Sequence, residues 1–386
     1  VGPITAKCLA DHGATVVRVE SENRIDGLRN QPPFKDGEDG PNRSNFFGAF
    51  NTSKLGLALD LKTEEGIGVA RRLIDWADVC IDSFTPGTMA RLGLGYERMR
   101  ETNPELIMVS TSLMGSGGPA SAMAGYGYHA AGIAGFFELV GWPDGAPAGP
   151  YLAYTDTIGP RFITPTLLAA LEHREASGQG CFIEAAQLEI ALQLLAPELL
   201  DLQASGHLAT RLGNRSAYLA PQGAYRCAGD DQWCAVTVAD DDQWSALCGV
   251  LGLDDLAADA SLASVEGRLA AHDLIDERIS AWTAARTAVD VEQALVAAGV
   301  PAGSVQSSQD LFSDPQYLHR GVHRWHEHSE CGPTPYTGHA YRIAGYDHGS
   351  RTAAPLLGEH TFEVLTDLLG LTADEIADLA IAEAIV

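Results

Sequence analysis

The sequence has few basic residues. Its 386 residues include 25 Lys and Arg against 51 Asp and Glu, which gives a formal net charge of -26 at pH 7. A strongly acidic surface repels the phosphates of nucleic acids and anionic membranes. Neither nucleic acid nor a membrane surface is therefore expected as a partner. A few cations gathered in one cleft remain compatible with binding of an anionic small molecule.

Long apolar runs and a disulfide framework are also missing. No run of about 18 apolar residues occurs, so a membrane-spanning helix is not expected. The seven cysteines are odd in number and lie scattered in apolar runs such as DVCI and WCAV. This usage is typical of reduced core residues in a cytoplasmic protein. The chain begins VGPITAKCLADHG, with neither Met nor a signal-like segment,.

Two cofactor patterns are absent or weak. A dinucleotide fold needs G-x-G-x-x-G after its first strand, and the opening has only VGPITA, so NAD is not expected. Zinc sites need fixed short spacings. The histidines near residue 320 are irregularly spaced in a charged segment, which is more typical of a solvated surface, so no metal is expected at His319, His323, His326, His328 and Cys331. The GSGGP stretch (115–119) is compatible with an anion-binding loop, but a tight turn after a strand is the simpler explanation.

The chain has the composition of an ordinary globular protein, with 46% hydrophobic and 20% charged residues,. Helix and strand patterns alternate from residue 4 to residue 112, which predicts an α/β domain with a parallel sheet. From residue 213 the pattern changes to a hairpin around GDD followed by helices, which predicts a second, α+β domain. Between them we predict a helix that opens at Thr164 and Pro165.

One carboxylate stands out in GPYLAYTDTIGPRF (149–162). Asp156 lies among small and apolar residues, with a Gly-Pro pair on each side. It has two explanations, a cap for the following helix or a nucleophile that attacks an activated acyl group. Spacing alone leaves both open.

Several ordered stretches resemble the class III CoA-transferase family, which also contains the carnitine and formate CoA-transferases and the α-methylacyl-CoA racemases. They run nearly from end to end and comprise GPITAKCLADHGATVVRVES, NTSKLGLALDLKTEEG, ADVCIDSFTPGTMARLGLGYERMRETNPELIMVSTS, GGP, AYTD, AAGVPAGSV, DPQYLHRG and APLLGEHT. The resemblance implies a Rossmann-like large domain built from both chain ends (1–205 and 310–386), a small inserted α+β domain (213–305) and two interlocked chains. It also implies that the family's first strand precedes the Gly-Pro at the start of this sequence.

The resemblance places Asp156 at the family's catalytic aspartate. It implies that Asp156 attacks an acyl-CoA, forms an acyl-aspartyl anhydride and then an aspartyl-CoA thioester, and passes CoA to a carboxylic acid without a metal or NAD. The residues matched to coenzyme A binding are Arg29, Lys54, Arg91, Leu92 and Tyr126. From the charge pattern alone, ordinary surface charge is the simpler explanation of the three cations.

Two departures from the family bear on the reaction and its substrates. The racemases use a His in a GH-D stretch, and this chain has Tyr126 at the His position, Gly127 at the acid and His129 further on. Because racemisation needs two acid/base groups, transfer is favoured over racemisation. The glycine run of formate-type members is also missing, which leaves the donor and acceptor acids open. A homodimer is expected, with a heterodimer or a non-catalytic CoA-binding partner subunit as alternatives.

Overall fold

The computed structural model describes residues 1–385 and divides them into two compact units. The first unit contains Val1–Phe136, Pro150–Ser205 and the chain from Gln316 onward. The second contains Phe137–Gly149 and Gly206–Pro315. Phe137–Gly149 thus groups with the second unit.

The strands are short and occur in both units. In chain order they are β1 (Val17–Glu20), β2 (Leu55–Ala58), β3 (Val79–Asp82), β4 (Ile107–Ser112), β5 (Cys181–Ala186), β6 (Gln222–Arg226), β7 (Trp233–Thr237), β8 (Ala302–Ser304), β9 (His323–His328) and β10 (Gly332–Thr337).

The helices separate and flank these strands. They are α1 (Gly2–Ala10), α2 (Asn45–Ala49), α3 (Glu64–Trp76), α4 (Thr88–Arg91), α5 (Tyr96–Met99), α6 (Gly127–Ala134), α7 (Phe136–Leu139), α8 (Tyr154–Ser177), α9 (Gln187–Leu194), α10 (Ala196–Ser205), α11 (Asp241–Leu251), α12 (Asp254–Ala257), α13 (Val265–Ala270), α14 (His272–Thr283), α15 (Ala288–Ala297), α16 (Ser308–Ser313), α17 (Pro315–Arg320), α18 (Thr361–Glu363) and α19 (Ala373–Ile381). Within residues 1–385, no helix is both long and apolar enough to cross a membrane.

The first unit is built on parallel strands, as the alternating pattern predicts. β3, β4 and β5 form one parallel sheet in that order, and β1 pairs in parallel with β2. The register sets Asp82, the last residue of β3, beside Ser110, which lies two residues before the end of β4, so both strands run towards the same edge of the sheet. Parallel sheets are normally covered by helices on both faces. The predicted α/β class with a parallel sheet is confirmed.

Side chains alternate between the two faces of the β3-β4-β5 sheet. Ile107 and Val109 of β4 pack with Ile163 and Leu167 of α8 on one face. Met108, which lies between them in sequence, belongs to the core on the other face with residues of α3 and α5. Burying each such side chain contributes about 1.5–3 kcal/mol. The strands are thus fixed from both sides, and their carboxyl ends provide rigid anchor points.

Helix α8 begins earlier than the sequence suggests. It starts at Tyr154 and continues through Pro160 and Pro165 to Ser177, so the predicted start at Thr164 and Pro165 is wrong. Proline is tolerated here because tertiary packing fixes the helix: Ile163 and Leu167 are buried against the sheet. Pro160 has no N–H, so the carbonyl of Asp156 does not receive the usual helical bond.

The second unit contains the predicted hairpin. β6 and β7 pair antiparallel, and β8 adds antiparallel to β7. Cys234 and Val236 of β7 pack against Trp244 and Leu247 of α11 in one core. Burial raises the pKa of the Cys234 thiol to about 11, so this thiol is inert at neutral pH. All seven cysteines are free and lie buried or half-buried.

Candidate active site

Asp156 lies in the first turn of α8, after the N-cap residue Ala153. Its Oδ2 accepts a hydrogen bond of 3.0 Å from the backbone N–H of Gly127. The side chain is 24% exposed. The carboxylate is therefore held in place and is also reachable from outside, two conditions that a nucleophile has to meet.

Gly127 is the first residue of α6 and touches Asp156 closely. A Cβ placed on it would lie 2.7 Å from the Asp156 backbone nitrogen and 2.9 Å from the Asp156 Cγ. Side chains essentially never approach so closely, so only glycine allows this contact. The position at which the racemases carry an acid thus serves here to bring a backbone N–H to the carboxylate.

Thr155 links this pair to a third helix. Its hydroxyl oxygen is fully buried and lies 2.7 Å from Oε1 of Gln187 and 3.0 Å from the carbonyl oxygen of Gly127. Gln187 is the first residue of α9. The N-terminal ends of α6, α8 and α9 therefore meet around Asp156. Helix N-termini carry partial positive charge, so this arrangement stabilises negative charge that develops beside the carboxylate during a reaction.

A protein-family model that matches most of the chain identifies the family. Residues 1–361 match the model of CoA-transferase family III. The chain belongs to this family. It is 30% identical over 384 residues to the succinyl-CoA–D-citramalate CoA-transferase of Chloroflexus aurantiacus, a match that covers 98% of this chain and 93% of that protein. It is 33% identical over 369 residues to a succinate–glutarate CoA-transferase of Agrobacterium fabrum, with 95% and 92% covered.

The fold agrees with the family. A crystal structure of a CaiB/BaiF family protein from Brucella suis superimposes with a TM-score of 0.86 at 30% identity and covers 95% of both chains. Membership of this family implies CoA thioesters and carboxylic acids as the substrate classes. Transfer of CoA is the general activity of the chain.

In this family III chain, Arg29 is buried, and its Nε, Nη1 and Nη2 atoms all donate hydrogen bonds to other groups of the protein. It is 1% exposed, forms two bonds of 2.9 and 2.8 Å with the Glu20 carboxylate and lies 3.6 Å above the Phe47 ring. Its other donors reach the carbonyls of Pro41 and Pro355 and the side chain of Asn42. Arg29 thus joins distant segments of the first unit, and its charge is balanced by Glu20.

Lys54 is buried in the same way. It is 3% exposed, and its Nζ donates to the carbonyls of Pro3 and Phe50 and to the side chain of Asn51, at 2.7, 3.0 and 2.8 Å. Burial lowers the pKa of Lys54 well below its usual value. All three protons of the ammonium are occupied, so in this conformation Lys54 organises the start of α1.

Arg91 differs from the other two cations because it is exposed at the end of α4. Its one described hydrogen bond within residues 1–385 is a 2.7 Å bond from Nη2 to the Thr88 hydroxyl. Leu92 follows and packs at the edge of a core. Tyr126 is the N-cap of α6 beside Gly127, and its side chain is 74% exposed.

The glycine stretch and the histidine segment are explained by local structure. The N–H and hydroxyl of Ser116, in GSGGP, donate to the carboxylate of Glu184, so a side chain of the protein itself fills this anion position. His326 lies on β9 and is 2.9 Å from the Ser350 hydroxyl, and the Nδ1 of His328 accepts a 3.0 Å bond from the N–H of Cys331. Within residues 1–385, no group of three or more His, Cys, Asp or Glu has a geometry that holds a metal ion.

Sequence reasoning missed the residues that surround Asp156. Gly127 was noted only as a departure from the racemase pattern, and Thr155 and Gln187 were not singled out. Thr155 adjoins Asp156 in the sequence, which is a weak signal for a supporting role. Gln187 lies 31 residues after Asp156, and nothing in the sequence marks it as part of the site. Its bond to Thr155 depends on how α8 and α9 pack.

Proposed function

We propose that the protein transfers CoA from an acyl-CoA to a carboxylic acid, with Asp156 as the covalent nucleophile. The observation that carries this proposal is the partly exposed Asp156 carboxylate, held by the Gly127 N–H where three helix N-termini meet. The named relatives use succinyl-CoA or act on succinate and glutarate. Short dicarboxylic acids are therefore the first donors and acceptors to test.

The reaction begins with attack of an Asp156 oxygen on the thioester carbonyl. The new C–O bond gives an acyl-aspartyl anhydride, and the C–S bond breaks to release CoA thiolate. The thiolate then attacks the Asp156 Cγ, forms an aspartyl-CoA thioester and expels the donor acid as a carboxylate. In this half-reaction the acyl group leaves while CoA stays on the enzyme.

The second half-reaction reverses these steps with another acid. The carboxylate of the acceptor attacks the aspartyl thioester, which gives a new anhydride and frees the thiolate. Attack of the thiolate on the acceptor's acyl carbon forms the new acyl-CoA and restores the Asp156 carboxylate. Every step exchanges one activated acyl bond for another, so neither ATP nor a metal ion is required.

Gly127 has a defined part in this scheme. When the thiolate adds to Asp156 Cγ, negative charge develops on a carboxyl oxygen. The N–H of Gly127, at the N-terminus of α6, already donates to Oδ2 at 3.0 Å. A preorganised backbone donor of this kind contributes about 3–4 kcal/mol to transition-state stabilisation in other enzymes. Oδ2 is thus the oxyanion position, and Oδ1 is the attacking atom.

Binding of CoA needs cations for its phosphates. Arg91 is exposed and retains donors beyond its bond to Thr88, so we assign the first phosphate contact to it. Lys54 and Arg29 support the nucleotide region by fixing the chain around α1 and Pro355. Leu92 and Tyr126 supply apolar contact at the nucleotide and acyl ends, respectively.

Racemisation has weaker support. His129 accepts a 3.1 Å bond from the Tyr126 N–H through its Nδ1, so this nitrogen caps the helix and is not available as a base. The deciding experiment incubates the protein in D₂O with 2-methylacyl-CoA or succinyl-CoA and a labelled acid. We expect label to pass into the CoA thioester without ATP and no deuterium at the α carbon. Deuterium uptake without label exchange would establish the racemase instead.

The family resemblance also implies an interlocked dimer with the small domain inserted in the large one. Apolar side chains on helices of the first unit fit burial by a second copy. They include Ile133 on α6, Phe162 and Leu168 on α8, and Leu199, Leu200 and Leu202 on α10, which has no buried residue. Free, buried thiols agree with a cytoplasmic location,.

Light scattering tests the dimer. We expect twice the mass of one chain, and a Leu200→Glu variant should shift the mass towards one chain because a charge replaces a side chain that is 62% exposed in the single chain. The single-chain fold should be unaffected, since Leu200 makes no core contact. A wild-type mass of one chain, with no exchange activity, would support pairing with a sister chain instead.

A further inference from the structure

The hydroxyl of Thr155 lies at the centre of the contacts behind Asp156. It is fully buried, and its oxygen is 3.0 Å from the carbonyl oxygen of Gly127 and 2.7 Å from Oε1 of Gln187. A hydroxyl has one proton, and a backbone carbonyl can only accept. Thr155 therefore cannot donate to both neighbours, and one of the two short contacts needs another donor.

The side-chain amide of Gln187 can be that donor. Its oxygen and nitrogen occupy nearly the same space, so the surrounding hydrogen bonds decide which of them faces Thr155. Among residues 1–385, Thr155 is the one described hydrogen-bond partner of this amide, so turning it breaks no other bond. With Nε2 towards Thr155, both contacts are hydrogen bonds. With Oε1 towards it, the Thr155 and Gly127 oxygens meet without a proton between them, which is costly in a buried site.

Gln187 is on a rigid part of the fold. It is 9% exposed and directly follows β5, whose last residue Ala186 pairs in register with Ser112 of β4. One turn later, Ile190 of α9 packs in the same core as Ile158 of α8. The sheet and this core fix the start of α9. Positioning groups are most precise when rigid elements carry them.

Gly127 connects Thr155 to Asp156. A Cβ at Gly127 would lie 2.7 Å from Thr155 Oγ1 and 2.9 Å from Asp156 Cγ, so its backbone packs directly on both side chains. Its carbonyl is bonded to Thr155 and its N–H to Asp156 Oδ2, on either side of one Cα. A residue has two soft backbone dihedrals. A bond that fixes the carbonyl therefore restricts the rotations that would turn the N–H away from the carboxylate.

We propose that Gln187 and Thr155 are positioning residues for the transfer reaction. The Gln187 amide N–H donates to the Thr155 hydroxyl, and this hydroxyl donates to the Gly127 carbonyl. The Gly127 N–H is thereby held towards the Asp156 oxygen on which negative charge develops. The inference rests on the proposed function, because the developing charge belongs to that reaction. Gln187 and Thr155 act on the reaction through Gly127.

Thr155→Val tests the bond to Gly127 with almost no change in side-chain volume. We expect kcat for exchange of CoA with a labelled acid to fall about 10- to 100-fold, the effect of a displacement of up to about 1 Å. The KM for the acyl-CoA should stay the same. Thr155→Ser keeps the hydroxyl and should restore most of kcat. The matched control is Thr166→Val, which removes an exposed hydroxyl of α8 that donates to the Phe162 carbonyl; its kcat should equal that of the wild type.

Gln187→Glu tests the direction of the hydrogen bonds. An ionised carboxylate only accepts, so it would take the Thr155 proton and leave the Gly127 carbonyl without this donor, whereas a protonated carboxyl can donate. Relative to the wild type, kcat of this variant should therefore fall as the pH rises through the pKa of the introduced carboxyl. If Thr155 donates to Gln187 instead, the carboxylate replaces the amide oxygen and kcat is kept at high pH, which would overturn the proposal.

The double variant Thr155→Val/Gln187→Glu separates the hydrogen bond from the added charge. Without the hydroxyl, the pH-dependent fall in kcat should disappear relative to Thr155→Val alone. A fall that persists is a direct effect of charge and would contradict the proposed hydrogen-bond chain. The titratable side chains on the neighbouring elements are present in both backgrounds, so their contributions cancel: His129 on α6, Asp156 on α8, Glu184 on β5 and Glu189 on α9.

Hydrogen exchange of the peptide that contains Gly127 gives a readout that needs no turnover. Protection should fall in Thr155→Val and persist in Thr155→Ser and Thr166→Val. This pattern in a wild-type protein that transfers no CoA would refute the proposed function and support the hydrogen-bond chain. Unchanged protection or unchanged kcat in Thr155→Val would overturn the chain itself. Thermal unfolding checks that each variant is folded, and the pH series on Gln187→Glu compares two protonation states of one folded protein.

Discussion

Asp156→Asn should lose CoA transfer almost completely, with a rate lower by on the order of 10⁴-fold or more, as for removal of other covalent nucleophiles. Asparagine keeps an oxygen that accepts the Gly127 N–H, so the local structure should persist. Its amide has no anionic oxygen to attack a thioester. Steady-state exchange between an acyl-CoA and a labelled acid measures the loss.

The matched control is Asp39→Asn, which neutralises an exposed carboxylate elsewhere in the first unit. It should transfer CoA at the wild-type rate. Both variants should bind CoA equally, because neither change removes a contact assigned to the nucleotide. If Asp156→Asn keeps a tenth of the activity, Asp156 is a structural helix-end residue and not the nucleophile.

Gly127→Ala should impair the same site by displacing Asp156, although it removes no reacting group. The added methyl group would lie 2.7 Å from the Asp156 nitrogen and 2.9 Å from its Cγ, so α6 and α8 have to separate. We expect a loss of stability of about 1–3 kcal/mol. A displacement of about 1 Å can reduce catalysis about 100-fold, so kcat should fall by that order even though no reacting atom is removed.

Gly68→Ala in α3 is the control for helix substitution. No atom lies within 4 Å of a Cβ at Gly68, so alanine should stabilise the protein by about 0.5–1 kcal/mol. Thermal unfolding and kinetics of both variants separate the effects. Wild-type kcat in Gly127→Ala would show that its contact with Asp156 does not position the carboxylate for the reaction.

The strands of the first unit were predictable because their apolar runs are short and bounded by turn residues. β3 and β4 lie within residues 4–112, where the alternation of strand and helix patterns predicts parallel pairing. The start of α8 was not predictable in this way. Pro160 and Pro165 read locally as helix boundaries, yet the packing of Ile163 and Leu167 against the sheet outweighs that local preference.

The candidate site was only partly accessible from the sequence. The resemblance pointed to Asp156, but not to what holds it. The partners of Arg29 and Lys54 lie far along the chain or on backbone carbonyls, such as Pro355 and Pro3. A sequence pattern records that a cation is present but does not show whether its donors are already satisfied.

The most direct test of the central claim is intact-protein mass spectrometry after mixing the protein with succinyl-CoA or glutaryl-CoA, followed by peptide mapping. The account predicts a covalent adduct of CoA or of the acyl group on the peptide that contains Asp156, and its loss in Asp156→Asn. An adduct on another residue, or CoA exchange at full rate with no adduct at any time, would contradict the account.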